Sequence, residues 1–283
     1  MFIILVFYHK IRHKINQKLI ISNRKLLLML KKFIYLLIVI ISILVTNINP
    51  IFALSLEDRI NQYPSWQQKI LLPKPEKDLI FPDWFEGKWE VTSILKEQIA
   101  PLAPKFQTPG FEQNNEYIDK KIQFSVKFIE SSFYPQQDNF VPQKINKQTI
   151  IIADRKFNSL SIAQAYLGID NVEKVVINPN NTTEQITKFR GENELISTVI
   201  GRQQENISEK DFITSEVTRQ FFRRPNSVYL NLVETTTKYH LINSNLIKAK
   251  QFTAIYLSPQ DPDYFVAFDQ PVALYYHTLE LKK

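Results

Sequence analysis

The polar residues spaced for chemistry are few. The stretch "SPQDPDYF" sets Asp261 and Asp263 either side of Pro262, between two segments that read as strands. Close carboxylates hold calcium, or raise one another's pKa for acid–base work. The same residues are standard turn formers, because Asp side chains bond their own backbone, and the turn is the preferred reading. An enzyme, an isomerase or hydrolase, would need Asp261 or Asp263 to act with a histidine. Beyond the N-terminal stretch the histidines are His240 and His277. They fall in separate predicted strands without H-x-H or H-x-x-x-H spacing, so no metal site is expected. Arg223 and Arg224 could hold an anion but read as a solvated hairpin end. The "ETTTK" run, 234–238, reads as a strand face.

The sequence has no G-x-S-x-G, P-loop or G-x-G-x-x-G. With five glycines in 283 residues, a backbone cradle for phosphate is hard to build. No cysteine is present, which excludes disulfides, thiolate nucleophiles, zinc–cysteine sites, iron–sulfur clusters and a lipidated N-terminal cysteine. No catalytic constellation emerges, and no cofactor is expected.

The net charge of +7 is misleading. Lys10, Arg12, Lys14, Lys18, Arg24, Lys25, Lys31 and Lys32 all precede residue 54, where no acidic residue occurs. The rest of the chain is nearly balanced, so no nucleic-acid partner is implied. From Met29, Lys31 and Lys32 precede an apolar run, Phe33 to Val45, and then a small residue, Ala53. That is the three-part pattern of a secretory signal peptide, 29–53. The run is too short for a typical membrane span, so the processed protein is not expected to be transmembrane. Residues 1–28 read as a start codon placed too early, or as a targeting extension.

What must carry any site is a β domain. Residues 54–82 hold a short helical stretch and then Pro64, Pro73, Pro75 and Pro82, a density that favours an extended arm. Period-two alternation begins at "GKWEVTSILK", with Trp89, Val91, Ser93 and Leu95 on one side, and recurs in "KIQFSVKFIE". "QTIIIAD", "VEKVVINPN", "EQITKFRG", "ELISTVIGRQ", "FITSEVTRQFF", "SVYLNLVETTTKYHLI", "LIKAKQFTAIYLS" and "VALYYHTLEL" complete the predicted strands. One convincing helix covers 158–168, with Gly168 as its stop. The fold class is therefore mainly β: an antiparallel barrel of about nine or ten strands over 83–283, in up-and-down order, with one short helix. A β-sandwich is the alternative.

The G-x-W of Gly87-Lys88-Trp89 resembles the first-strand signature of lipocalin-like (calycin-type) barrels, where the tryptophan plugs the closed end. Trp84 and Trp89 are both expected to be buried, Trp84 clamping the arm. "FPDWFEGKWEVTS", "APLAPKFQTPGF", "AQAYLG", "VETTTKY", "QFTAIYLSPQDPDYF" and "PVALYYHTLEL" together resemble an uncharacterised family of cyanobacterial and chloroplast proteins. The resemblance runs from about Pro82 to Leu281. It implies export, to a thylakoid lumen or periplasm, and carries no catalytic residue across.

Two functions follow as expectations. The first is a secreted binder of an apolar or amphipathic small molecule, with Trp89, Phe124, Phe128, Tyr239, Tyr256 and Tyr275 lining the interior. Its rival is an interior filled by those same side chains. The second is an accessory protein for assembly or maintenance of a photosynthetic membrane complex, touching a subunit through the 64–82 arm and the 100–111 loop.

Overall fold

A computed structural model describes residues 30–37, 54–108, 110–133, 148–225 and 227–283. Residues 30–37 form a helix, α1. The remainder of the 1–28 extension and of the 29–53 signal segment lies outside the described residues. Among the described residues no helix is long and apolar enough to cross a membrane. Residues 54–283 form a unit of their own, described from here on.

Ten antiparallel strands form one curled sheet: β1 (Gly87–Ile99), β2 (Lys121–Phe133), β3 (Gln148–Ala153), β4 (Val172–Asn178), β5 (Asn181–Phe189), β6 (Asn193–Asn206), β7 (Asp211–Arg224), β8 (Ser227–Asn243), β9 (Leu246–Leu257) and β10 (Ala273–Lys282). Their order is β3-β2-β1-β10-β9-β8-β7-β6-β5-β4. Every chain-consecutive pair is hydrogen-bonded except β3 and β4, and the first strand pairs with the last. The result is a half-barrel whose two edges are not joined by strand pairing.

Open edges leave backbone groups that need partners. Here a helix and the arm supply them. α3 (Arg155–Leu167) connects β3 to β4 and packs on β2 and β4. It starts at Asp154, whose Oδ1 accepts the Phe157 N–H at 3.1 Å. Along β2 the pairing with β3 begins only at Phe128, so the preceding backbone is exposed on that side. Side chains of α3 take the place of a strand. The Lys127 N–H donates to Asn158 Oδ1 at 2.6 Å, Asn158 Nδ2 donates to the Lys127 carbonyl, and the Ser125 N–H donates to Ser161 Oγ at 3.0 Å.

The arm closes a second stretch. β6 pairs with β5 only as far as Thr198. Beyond it the Arg202 N–H donates to the Pro73 carbonyl at 2.9 Å, and Gln204 bonds both the N–H and the carbonyl of Ile80. The next residue, Phe81, bridges to Ile151 of β3. The chain passes β6 so closely that a Cβ on Gly201 would lie 2.9 Å from that of Leu72.

Before that crossing, α2 (Leu56–Asn61) and the following residues cover the outer face of β7–β10. Leu56, Trp66 and Ile70 pack there against Ile213, Leu232, Phe252 and Leu274. After the crossing, Leu79, Phe81 and Phe85 join the inner face with Trp89, Phe128, Phe212 and Leu281. The Trp89 indole N–H donates to the Phe85 carbonyl at 2.7 Å, across Gly87, whose φ of +106° suits glycine. Trp89 is fully buried, as its alternation predicts. Trp84 is only half-buried, and stacks on Phe85 at 4.2 Å. Phe85 rather than Trp84 is the second plug, because a three-residue turn, Asp83–Phe85, rotates Trp84 outward.

Candidate ligand cavity

Above this packed end the inner face is not filled. A half-open cavity of about 310 Å³ lies between the sheet, α3 and the arm. Its apolar wall is Val91 of β1, Phe124, Val126 and Phe128 of β2, and Leu279 and Leu281 of β10. The facing wall is polar: Thr214 and Glu216 of β7, Thr235 and Thr237 of β8, and Gln251 of β9. Period two makes both walls, since these residues all have inward parity in their own strands.

A charged cluster borders the cavity beside α3. Arg155 donates to Asp78 at 2.6 Å and to Glu216 at 2.8 Å, and Arg202 donates to Glu216 at 2.7 Å and lies 3.1 Å from Asp78. Burial opposes the charge on Arg155, but Glu216 and Asp78 outweigh it and raise its pKa. Burial dominates at Arg202 and lowers its pKa. The four charges balance one another, so the cluster is a strut between arm, helix and β7.

The cavity's hydroxyls are not activated. Ser159 donates to Gln185, and Ser93 meets Tyr166 at 3.4 Å. The Tyr239 phenol is pushed up to about 12 by burial. Among the described residues none of these is hydrogen-bonded to a histidine, so no nucleophile–base pair is present here.

A second cavity, of about 300 Å³, lies further along the inner face. It is lined by Leu95, Ile122, Tyr275 and His277 from the sheet, Asn114 and Tyr117 from a turn of 3-10 helix (Glu112–Tyr117), and Tyr166 and Leu167 of α3. Tyr166 lines both cavities. Burial holds His277 well below the usual histidine range, at about 4. Its Nδ1 is buried with no hydrogen-bond partner among the described residues.

The sequence-predicted lining residues divide among three places. Phe124, Phe128 and Tyr239 line the first cavity, and Tyr275 lines the second. Trp89 lies in the packed end with Phe85 and Val91, under the Lys283 ammonium at 4.6 Å. Tyr256 is on the outer face, in a different cluster, and its hydroxyl donates to Glu234 at 2.8 Å.

That outer cluster was hidden in the sequence. Glu234 is completely buried and takes Arg59 in a two-pronged pair, with both bonds at 2.8 Å. Arg59 also donates to the Gln68 carbonyl and to Tyr256, and lies 3.9 Å over the Trp66 ring. The "ETTTK" run is indeed a strand, split by parity: Glu234 and Thr236 face outward under the arm, Thr235 and Thr237 inward to the cavity.

Asp261 and Asp263 form a turn. The Asp263 N–H donates to Asp261 Oδ1 at 2.9 Å, and the Asp261 N–H to the Ser258 carbonyl at 2.8 Å. Among the described residues neither is hydrogen-bonded to a histidine. His240 pairs instead with Asp211 at 2.8 Å, near the surface. Among the described residues no group of three His, Cys, Asp or Glu is placed to hold a metal. Arg223 and Arg224 are exposed at the β7–β8 hairpin end.

The missed residues are Tyr166, Arg155, Asp78 and Glu216. The inward side of β7 follows from alternation once Phe212 is placed inside. Nothing local points to Asp78 or Arg155, since they meet only through the crossing of the arm.

Residues 74–283 match the family described as a domain of unknown function (DUF6816), and the chain belongs to it. No curated protein and no solved structure matches the chain.

Proposed function

We propose that this protein is an exported binder of an amphipathic small molecule, held inside the half-barrel. The observation that carries the reading is the cavity of about 310 Å³ with one apolar and one polar wall. Its size is at the lower end of ligand pockets, and an apolar wall facing a polar one suits a molecule with both characters. A lipocalin-like origin of the G-x-W end fits the same reading. The pattern of residues 29–53 favours export, and the family resemblance favours a thylakoid-lumen or periplasmic home in a cyanobacterial or chloroplast lineage. Protein isolated from its own host would then begin at or close to Leu54.

The test is titration of the purified protein with a fluorescent fatty-acyl probe. Saturable binding near one probe per chain is expected. Leu279→Trp, which places an indole in the cavity, should weaken it at least about tenfold. Absent saturation, or unchanged binding by that variant, would falsify the reading. Mass spectrometry of host-purified protein then identifies the natural ligand.

One observation favours a second reading, that of an accessory protein touching a subunit of a photosynthetic membrane complex. Phe265, Val266 and Phe268, in the β9–β10 connection, are 84%, 58% and 58% exposed. Clustered exposed apolar residues mark contact sites more often than single ones do. Replacing Phe265 and Phe268 by Ser should abolish co-purification of that subunit while leaving probe binding intact. Unchanged co-purification would remove this reading.

A further inference from the structure

The second cavity differs from the first in its chemistry. Among the described residues no Lys, Arg, Asp or Glu lines it. Of the buried polar atoms left without a partner among the described residues, His277 Nδ1 is the one that belongs to a residue lining either cavity. Beside it on the same strand, the Tyr275 hydroxyl accepts from Asn114 Nδ2 at 3.1 Å, and no described group accepts the phenol's own proton. Burial raises the Tyr275 pKa, so that proton stays in place. The depressed pKa of His277, about 4, keeps the ring neutral at neutral pH. The wall therefore carries a neutral imidazole ring and a neutral phenol, both with unused hydrogen-bonding capacity.

We infer that the second cavity receives an uncharged, hydroxyl-bearing head group, hydrogen-bonded to His277 and Tyr275, whose hydrocarbon part runs past Tyr166 into the first cavity. This rests on the small-molecule reading above and names the ligand's class. Buried polar atoms in native proteins are almost always paired, so an orphan on a cavity wall marks the place of a missing partner. A hydroxyl both donates and accepts, and so satisfies either tautomer of the ring together with the phenol. A carboxylate or ammonium head would lose its hydration with no counter-charge in the wall. The charged cluster of the first cavity offers none either, since the two carboxylates and two guanidinium groups of Asp78, Glu216, Arg155 and Arg202 pair with and balance one another. Tyr166 is the shared wall. Its hydroxyl is held only by the 3.4 Å contact to Ser93, at the limit of a hydrogen bond, so the ring is weakly tethered in the path.

Three probes that share a dodecyl chain separate the possibilities: dodecanol, dodecanoate and dodecyltrimethylammonium, the first titrated into the full chain below its solubility limit and the two ions below their micelle concentrations. Dodecanol should bind about tenfold more tightly than either charged probe. His277→Phe should bring dodecanol to the level of the charged probes. His277→Asn, which keeps a neutral hydrogen-bonding group, should retain the preference, and Tyr275→Phe should reduce it. If the charged probes bind the unaltered protein as tightly as dodecanol, the head-group inference is overturned. It is overturned also if the preference survives both His277→Phe and Tyr275→Phe. Should all three bind alike and remain sensitive to Leu279→Trp, the first-cavity reading stands and only this inference falls. If none binds, both fall. The ranking on the unaltered protein decides even where a variant fails to fold.

Discussion

On the β7–β10 sheet, Glu234 on the outer face and His277 on the inner face are buried polar groups treated in opposite ways. On the outer face Glu234, Arg59 and Tyr256 satisfy one another at 2.8–2.9 Å, and the arm seals them from water. On the inner face a void remains and His277 Nδ1 is left unmatched. The same strands thus carry a completed network on one side and an uncompleted one on the other. A closed polar network fixes the fold, whereas an open one beside a void leaves room for a molecule the chain does not supply.

The largest expected effect lies in the completed network. Glu234→Ala leaves the Arg59 guanidinium buried without its carboxylate and should destabilise the protein by roughly 3–5 kcal/mol in denaturant unfolding. Replacing both partners, Arg59→Met with Glu234→Leu, should cost far less, because no charge is then stranded. Equal costs for the single and double changes would break the picture of a mutually dependent pair.

Trp89→Ala opens the packed end and should cost about 3 kcal/mol or more, against about 1 kcal/mol for the half-buried Trp84→Ala. Thermal melts of the two variants compare them directly, and equal shifts would show that the closed end is not organised around Trp89.

The inner face predicts a pH effect. His277 is neutral in the folded protein down to about pH 4, while in the unfolded chain it takes up a proton near pH 6.5. Its contribution favours the folded state fully above about 6.5. That contribution is lost progressively as pH falls from about 6.5 to 4, by roughly 3 kcal/mol in total. The difference in unfolding free energy between the parent and His277→Gln should therefore change over that window and be flat above it. A constant difference would mean that His277 is not buried as a neutral ring.

The smallest effect is at the crossing of the arm. Gly201→Ala puts a Cβ within 2.9 Å of Leu72, and should cost about 1–2 kcal/mol. Faster proteolysis within residues 73–80 would locate the loss. An unchanged cleavage pattern would show that the arm is not held at β6.

Much of this was legible in the sequence. All ten strands were readable, because alternation and β-branched content report a half-buried pleated surface. α3 announced itself over 158–168 through its stop at Gly168. Trp89 declared the closed end by parity. The gap between β3 and β4 was not readable. Alternation says that a strand has two faces and nothing about which neighbour pairs its edge. That depended on Asn158 and Ser161 standing in for a strand along β2, and on Gln204 taking up Ile80 across 124 residues. Site residues followed the same rule. Phe124, Phe128, Tyr239 and Tyr275 sit on strands whose alternation is readable, but which of the two sides faces the cavities was decided by packing. Tyr256 has the same composition and the same kind of strand, yet faces out, since it is the arm that gives that side a buried tyrosine environment. Arg59 and Glu234 are 175 residues apart, and in the sequence each is an ordinary charged residue. Only the folded chain brings them together, because charge pairing in a dry interior is a property of distance in space, and local pattern carries no record of it.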